Sequence, residues 1–100
     1  MTLDQKVIDD VNYCIDALGS FLGVKVVDRP LTWKDSVAGY LGRKKVIRPQ
    51  IVASEGKTST HNGKENKISI HDDHIGVGYV YFEEAAHCIG TSLLLQKQAH

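Results

Sequence analysis

Glu83-Glu84-Ala85-Ala86-His87, with Gly90 three residues on, gathers two carboxylates and an imidazole into little more than one helical turn. Glu83 and His87 stand four residues apart. That spacing puts two side chains on one helix face and lets both reach one cation. Glu84 points to the adjoining side, where a carboxylate can hold a metal-bound water. Carboxylate oxygen and imidazole nitrogen are both zinc donors. Ala85 and Ala86 keep this turn narrow and admit close packing. The competing reading is an ordinary salt-linked helix surface, in which adjacent glutamates face a histidine one turn on.

Other groups that could do chemistry are scattered. His71 and His74 flank Asp72-Asp73 just before the same segment. If a regular helix starts there, roughly 20 Å separates His74 from His87, and the two do not share an ion. That tetrad then reads as a separate ion site or a helix cap, with a polar turn as the plainer alternative. His61 lies in a polar, turn-rich stretch from which it could fold over the Glu83/His87 face. Lys44, Lys45 and Arg48, with Gly42 and Arg43, form the one basic cluster. No aromatic interleaving or phosphate-cradling glycine pattern accompanies it, so a solvated turn is the simpler reading. Twelve basic and twelve acidic residues cancel. This argues against a general nucleic-acid or anionic-membrane binder and leaves little charge to hold copies apart. Cys14 and Cys88 sit among apolar neighbours and read as two buried free thiols.

These groups must be positioned by elements that the hydrophobic pattern defines. Leu3, Val7, Val11, Ile15, Leu18 and Leu22 recur every three or four residues and predict a helix over residues 3–22, capped by Thr2 and stopped by Gly23. Residues 25–28 read as a short strand. Thr32 to Asp35 is a second capping signature, and it predicts a short helix over about 33–41, closed by Gly42. The β-branched stretch 45–53, broken by Pro49, predicts two short strands or one bent edge strand. Residues 54–66 read as a mobile polar loop with a hairpin dipeptide at Asn62-Gly63, and 67–71 as the returning strand. The last helix is expected over about 75–96, capped by Asp72 or Asp73. Its core face is predicted at Ile75, Tyr79, Phe82, Ala86, Ile89 and Leu93, which pack with Leu18 and Phe21 of the first helix. The sum is one α+β domain spanning residues 1–100. It has a small antiparallel or mixed sheet, an N-terminal backing helix and a C-terminal helix that carries the motif.

Residues 68–89 resemble the core of zincin-like metallopeptidases. In those proteins a strand lies at the rim of the substrate cleft, and the following long helix carries H-E-x-x-H. Ile68-Ser69-Ile70 corresponds to that strand and Tyr81 to Ile89 to that helix. The resemblance implies zinc as the cofactor, Glu83 and His87 as its ligands and Glu84 as the catalytic general base. The match is degenerate. Glu83 replaces the first histidine, and the position of a third ligand in the extended pattern falls on Leu93. A catalytic zinc requires three protein ligands and one open position.

Two functions follow as expectations. The first is a degenerate zincin-like domain acting as a non-catalytic interaction module, with a vestigial or weak metal site. It would bind a peptide, a protein or a second copy of itself, with no nucleic-acid or membrane partner. The alternative is a metal-dependent peptidase using Glu84 as general base. The N-terminus shows no uninterrupted apolar run of the kind that marks a secretory leader, so the expected setting is cytoplasmic.

Overall fold

The computed structural model describes residues 3–40 and 44–98. Helix α1, Gln5–Leu22, buries Val7, Val11 and Ile15 along one stripe, as the period predicts. It ends at Gly23, whose φ of 70° is left-handed. The Gly23 and Val24 amides then satisfy the carbonyls of Ser20 and Gly19. A side chain at Gly19 would meet the Val24 carbonyl and the Val26 side chain at 3.1 Å, so glycine there lets the helix end lie on the next strand. The expected cap at Thr2 lies outside the described residues. Asp4 holds the N-cap position, without a side-chain cap bond.

Strand β1, Lys25–Val27, pairs in parallel with β2, Lys45–Ile47, and helix α2, Trp33–Tyr40, lies between them in the chain. The capping signature at Thr32 is realised. The Asp35 carboxylate reaches back to the Thr32 amide at 2.7 Å, and the Asp35 amide donates to the Thr32 carbonyl at 3.1 Å. Asp35 is buried, takes two bonds from Arg29 and one from Lys45, and so ties α2 to β2. Those cations hold its carboxyl far below the ordinary range. The expected stop at Gly42 lies outside the described residues.

The segment broken by Pro49 forms two strands, β2 and then β3, Gln50–Ala53. Strands β4, Thr60–Asn62, and β5, Lys67–Ile70, complete a second sheet in the order β3-β5-β4. β3 runs parallel to β5 and β4 antiparallel to it. Residues 54–66 are therefore not one loop: their second half is an edge strand with His61 opposite Ile68. β5 is the central strand, not the rim that the resemblance implies. A short 3₁₀ turn, Asp72–His74, precedes helix α3, Gly78–Gln98.

α1 and α3 pack against each other and over the sheets. The main core joins Val7, Val11 and Ile15 of α1 to Ile51, Ile68 and Ile70 of the sheet and to Tyr81, Ala85 and Cys88 of α3. A second cluster joins Val24, Val46 and Ile89. The α+β class, the small mixed sheet and the two long helices are as the sequence implies. The face of α3 is so only in part: Ile89 is buried and Leu93 packs against the second cluster, as expected, but the rest of the face differs. Its buried side runs through Val80, Tyr81, Glu84, Ala85, Cys88 and Ile89, while Ile75, Tyr79 and Phe82 are exposed. Two features account for the rotation. The helix begins three residues later than expected, after a turn in which Gly76 has a φ of 85° and its amide donates to the Tyr81 hydroxyl at 2.7 Å. The close approach to α1 also selects small side chains, Ala85 and Cys88, for the contact. Phe21 is 84% exposed because the last turn of α1 faces away from the core, its buried position being Gly19.

The corrected faces predict opposite sensitivities. Ile15→Ala, at a site with no exposed surface, should cost about 2–5 kcal/mol in a denaturant melt. Phe82→Ala should cost under about 1 kcal/mol, as substitutions away from a core do.

Candidate functional site

The motif lies where α3 crosses the second sheet, and the turn of the helix assigns its members different environments. Glu84 is 6% exposed. Glu83 and His87 are exposed, and the His87 side chain retains 59% of its surface. The structure therefore keeps Glu83 and His87 on the outer face that the spacing predicts and turns Glu84 inward. Glu84 Oε1 lies 3.9 Å from His87 Nδ1, and Glu84 Oε2 is buried without a hydrogen-bond partner.

Burial is the largest influence on Glu84 and raises its pKa. His87 opposes this, Glu83 adds to it, and His74 opposes it more weakly. Because the chain turns at Gly76 instead of continuing as helix, His74 sits close enough to Glu84 for its charge to act there. His74 is fixed through Nδ1, 2.7 Å from the buried Ser59 hydroxyl, which also accepts the His71 amide at 2.8 Å. His71 itself caps the 3₁₀ turn, its Nδ1 accepting from the Asp73 amide.

Strand β4 brings His61 to the same place. Its Nε2 is buried and unpartnered. Burial, the largest influence, lowers the pKa of this ring; the Asn66 side chain opposes the shift and the charge of His87 adds to it. Asn66 in turn donates to the carbonyls of Ile47 and Arg48 and accepts the Cys88 thiol at 3.8 Å. Burial pushes that thiol up to about 11, so Cys88 is a protonated packing group and not a nucleophile. Sequence reasoning missed the strand that carries His61. The available signal was the polar alternation of Thr60 and Asn62 around it, across the Asn62-Gly63 turn from the Lys67–Ile70 strand.

Among the described residues, no three His, Cys, Asp or Glu side chains already converge as a metal ligand set. Glu83 and His87 supply two donors on the outer face, and Leu93, in place of a third, is half-buried against the second core cluster. His100 lies outside the described residues. Two members of the basic cluster form structural pairs. Lys45 binds Asp35, and Arg48 bridges Asn12 and Asp16 of α1 to Asp28 at 2.7–3.0 Å. Arg43 lies outside the described residues. Comparison with family models, with characterised proteins and with solved structures finds no match for this chain.

The buried carboxyl makes a signed pH prediction. Folding raises the Glu84 pKa, so ionisation penalises the folded state as pH climbs through the raised value, and the penalty is absent where the group is protonated in both states. In chelator-treated protein, Glu84→Gln should raise the melting temperature relative to wild type at pH 8. The gain should shrink as pH falls from the raised value toward about 4.5, the ordinary value for this group, and be absent below it. A gain independent of pH would show that it does not come from the ionisation of Glu84, and a loss at pH 8 would show that the carboxyl is stabilised as the anion.

Proposed function

We propose that the chain is a zincin-like interaction module, non-catalytic, in which the Glu83/His87 pair is a vestigial metal site. Its partner is a protein surface presented by a second copy. The observation that carries this reading is the exposed apolar stripe on α3. Tyr79 is 73% exposed and Phe82 48%, and Ile75, before the turn that leads into the helix, is exposed as well. Large apolar groups grouped on one helix face mark association sites. A twofold pairing places the same stripe on both partners. Zero net charge puts no long-range repulsion in the way. Two free cysteines, one buried and one half-buried, fit a cytoplasmic setting. Neither a membrane nor a nucleic acid is a partner in this reading. No described helix is long and apolar enough to cross a bilayer. Lys45 and Arg48 are already spent on ion pairs within the chain.

The alternative is a metal-dependent peptidase with Glu84 as base. It draws support from the raised Glu84 pKa, which moves a carboxyl toward neutral pH. It is opposed by the burial of that carboxyl on the side away from Glu83.

Sedimentation velocity separates the readings. Wild type should show a concentration-dependent monomer–dimer equilibrium in the micromolar range, and Tyr79→Ser/Phe82→Ser should remain monomeric with an unchanged fold. A wild type that stays monomeric at millimolar concentration would end the self-association reading. Zinc-dependent cleavage of an unfolded protein substrate, lost in Glu84→Gln, would establish the peptidase instead.

A further inference from the structure

We infer that the outward face of α2 binds a short acidic segment of a partner protein, one that carries large apolar side chains among its carboxylates. This surface lies on a different element from the α3 stripe and needs nothing from the self-association reading.

The first observation is a division of charge that the zero net value conceals. Residues 24–53, which form β1, α2, β2 and β3, hold seven of the chain's twelve lysines and arginines and two of its twelve acidic residues. That stretch has an excess of five positive charges, and the rest of the chain has an equal excess of negative ones. Such asymmetry steers an oppositely charged partner to one side of a molecule.

The second is where the excess resides. Both acids of the stretch are satisfied from within. Asp35 is buried between Arg29 and Lys45, and Asp28 takes the Arg48 guanidinium at 2.9 Å. Lys25, Lys34 and Lys44 are left exposed, and the ion pairs among the described residues all use other cations. The three are linked through the fold. The Lys25 amide donates to the Lys44 carbonyl at 3.0 Å, and the Lys45–Asp35 pair fastens the following residue to α2 beside Lys34.

The third is an apolar ridge between these cations. Asp35 marks the inward side of α2. At about 100° per residue, Trp33 and Val37 stand roughly opposite it. Trp33 is 73% exposed and Val37 54%. One turn apart, they share a face. Lys34 lies over the indole, its Nζ 5.8 Å from the ring centroid. An exposed tryptophan is the side chain that contributes most when an interface covers it.

The combination selects the partner. Ammonium groups pair with carboxylates, and the Trp33–Val37 ridge takes apolar side chains set between them. A nucleic acid or an anionic bilayer extends well beyond this face and also meets the acid-rich remainder of the chain. A short segment stays within the field of the three lysines, which salt confines to about 8 Å at physiological ionic strength.

Trp33 is the chain's one tryptophan, so its fluorescence reads this face directly. The probe is a synthetic amphipathic peptide of Glu, Leu and Ala, titrated into the full chain. Trp33 emission should shift to the blue and saturate, and raising sodium chloride to about 0.5 M should weaken binding severalfold. Lys34→Glu/Lys44→Glu should weaken it at least about tenfold, as reversed charges at an interface do. Val37→Ser should weaken it severalfold with the reporter intact. Lys57→Glu/Lys64→Glu, at exposed lysines elsewhere, should leave it within about twofold. The same shifts should appear in Tyr79→Ser/Phe82→Ser, so the outcome does not depend on self-association. Unchanged Trp33 emission, or equal binding by Lys34→Glu/Lys44→Glu, would overturn the inference. So would a saturable response to oligothymidine or to phosphatidylserine vesicles with none to the peptide, which would assign the face to a nucleic acid or a bilayer.

Discussion

One side-chain amide adds polar links between parts of this protein that the apolar core also joins. Asn66 closes the turn between β4 and β5 in a left-handed conformation, with a φ of 53° that asparagine tolerates better than most residues. Its backbone carbonyl receives the Gln50 amide as β3 begins. Its side-chain nitrogen satisfies two carbonyls at the end of β2, and its side-chain oxygen meets Cys88 on α3. The two small sheets share no strand. This residue and the Arg48 bridges to α1 and Asp28 are what hold them in register with the helices. Because the same amide meets Cys88, one turn from Glu84 on α3, the placement of the motif helix and the joining of the two sheets are linked.

That coupling explains why a carboxyl can be kept in the interior. A domain of this size has a small core and little stability to spare. An inward-facing Glu84 with an unpartnered oxygen is costly within it. Where such a group is retained, its surroundings carry compensating chemistry. Here the charges of two imidazoles, of His87 and His74, favour the ionised form of the acid, and His74 is secured by a second polar contact at Ser59. The arrangement is ordered on the protein side and open on the solvent side, where only His87 is free to turn.

Much of this was legible in the sequence because it rests on local rules. The stripe of α1, its Gly23 stop, the Thr32/Asp35 cap and the break at Pro49 depend on residues within a few positions of one another, and the structure realises each of them. What was not legible depended on contacts distant in sequence. The face of α3 could not be chosen by periodicity, because two stripes compete. One is bulky, through Tyr79 and Phe82, and the other small, through Ala85 and Cys88. The decision belongs to α1, which approaches closely and admits the small one. The strand status of Thr60–Asn62 was likewise set by its partner β5 and not by its own polar composition.

The rotation of α3 has one further consequence. By burying Ala85 and Cys88 against α1, the helix places Tyr79 and Phe82 outside and Glu84 inside in a single step. Periodicity had assigned the aromatic stripe to the core and the acidic pair to the surface. The structure reverses the first assignment and divides the second, leaving Glu83 outside. An exposed aromatic face and a partly buried acidic cluster are therefore alternative sides of the same helix, linked by the packing of two small side chains. Enlarging the contact at Ala85 would force the helix to turn or lift and disturb both surfaces together. A substitution confined to either exposed surface, such as Glu83 or Phe82, leaves the packing intact and affects one of them alone.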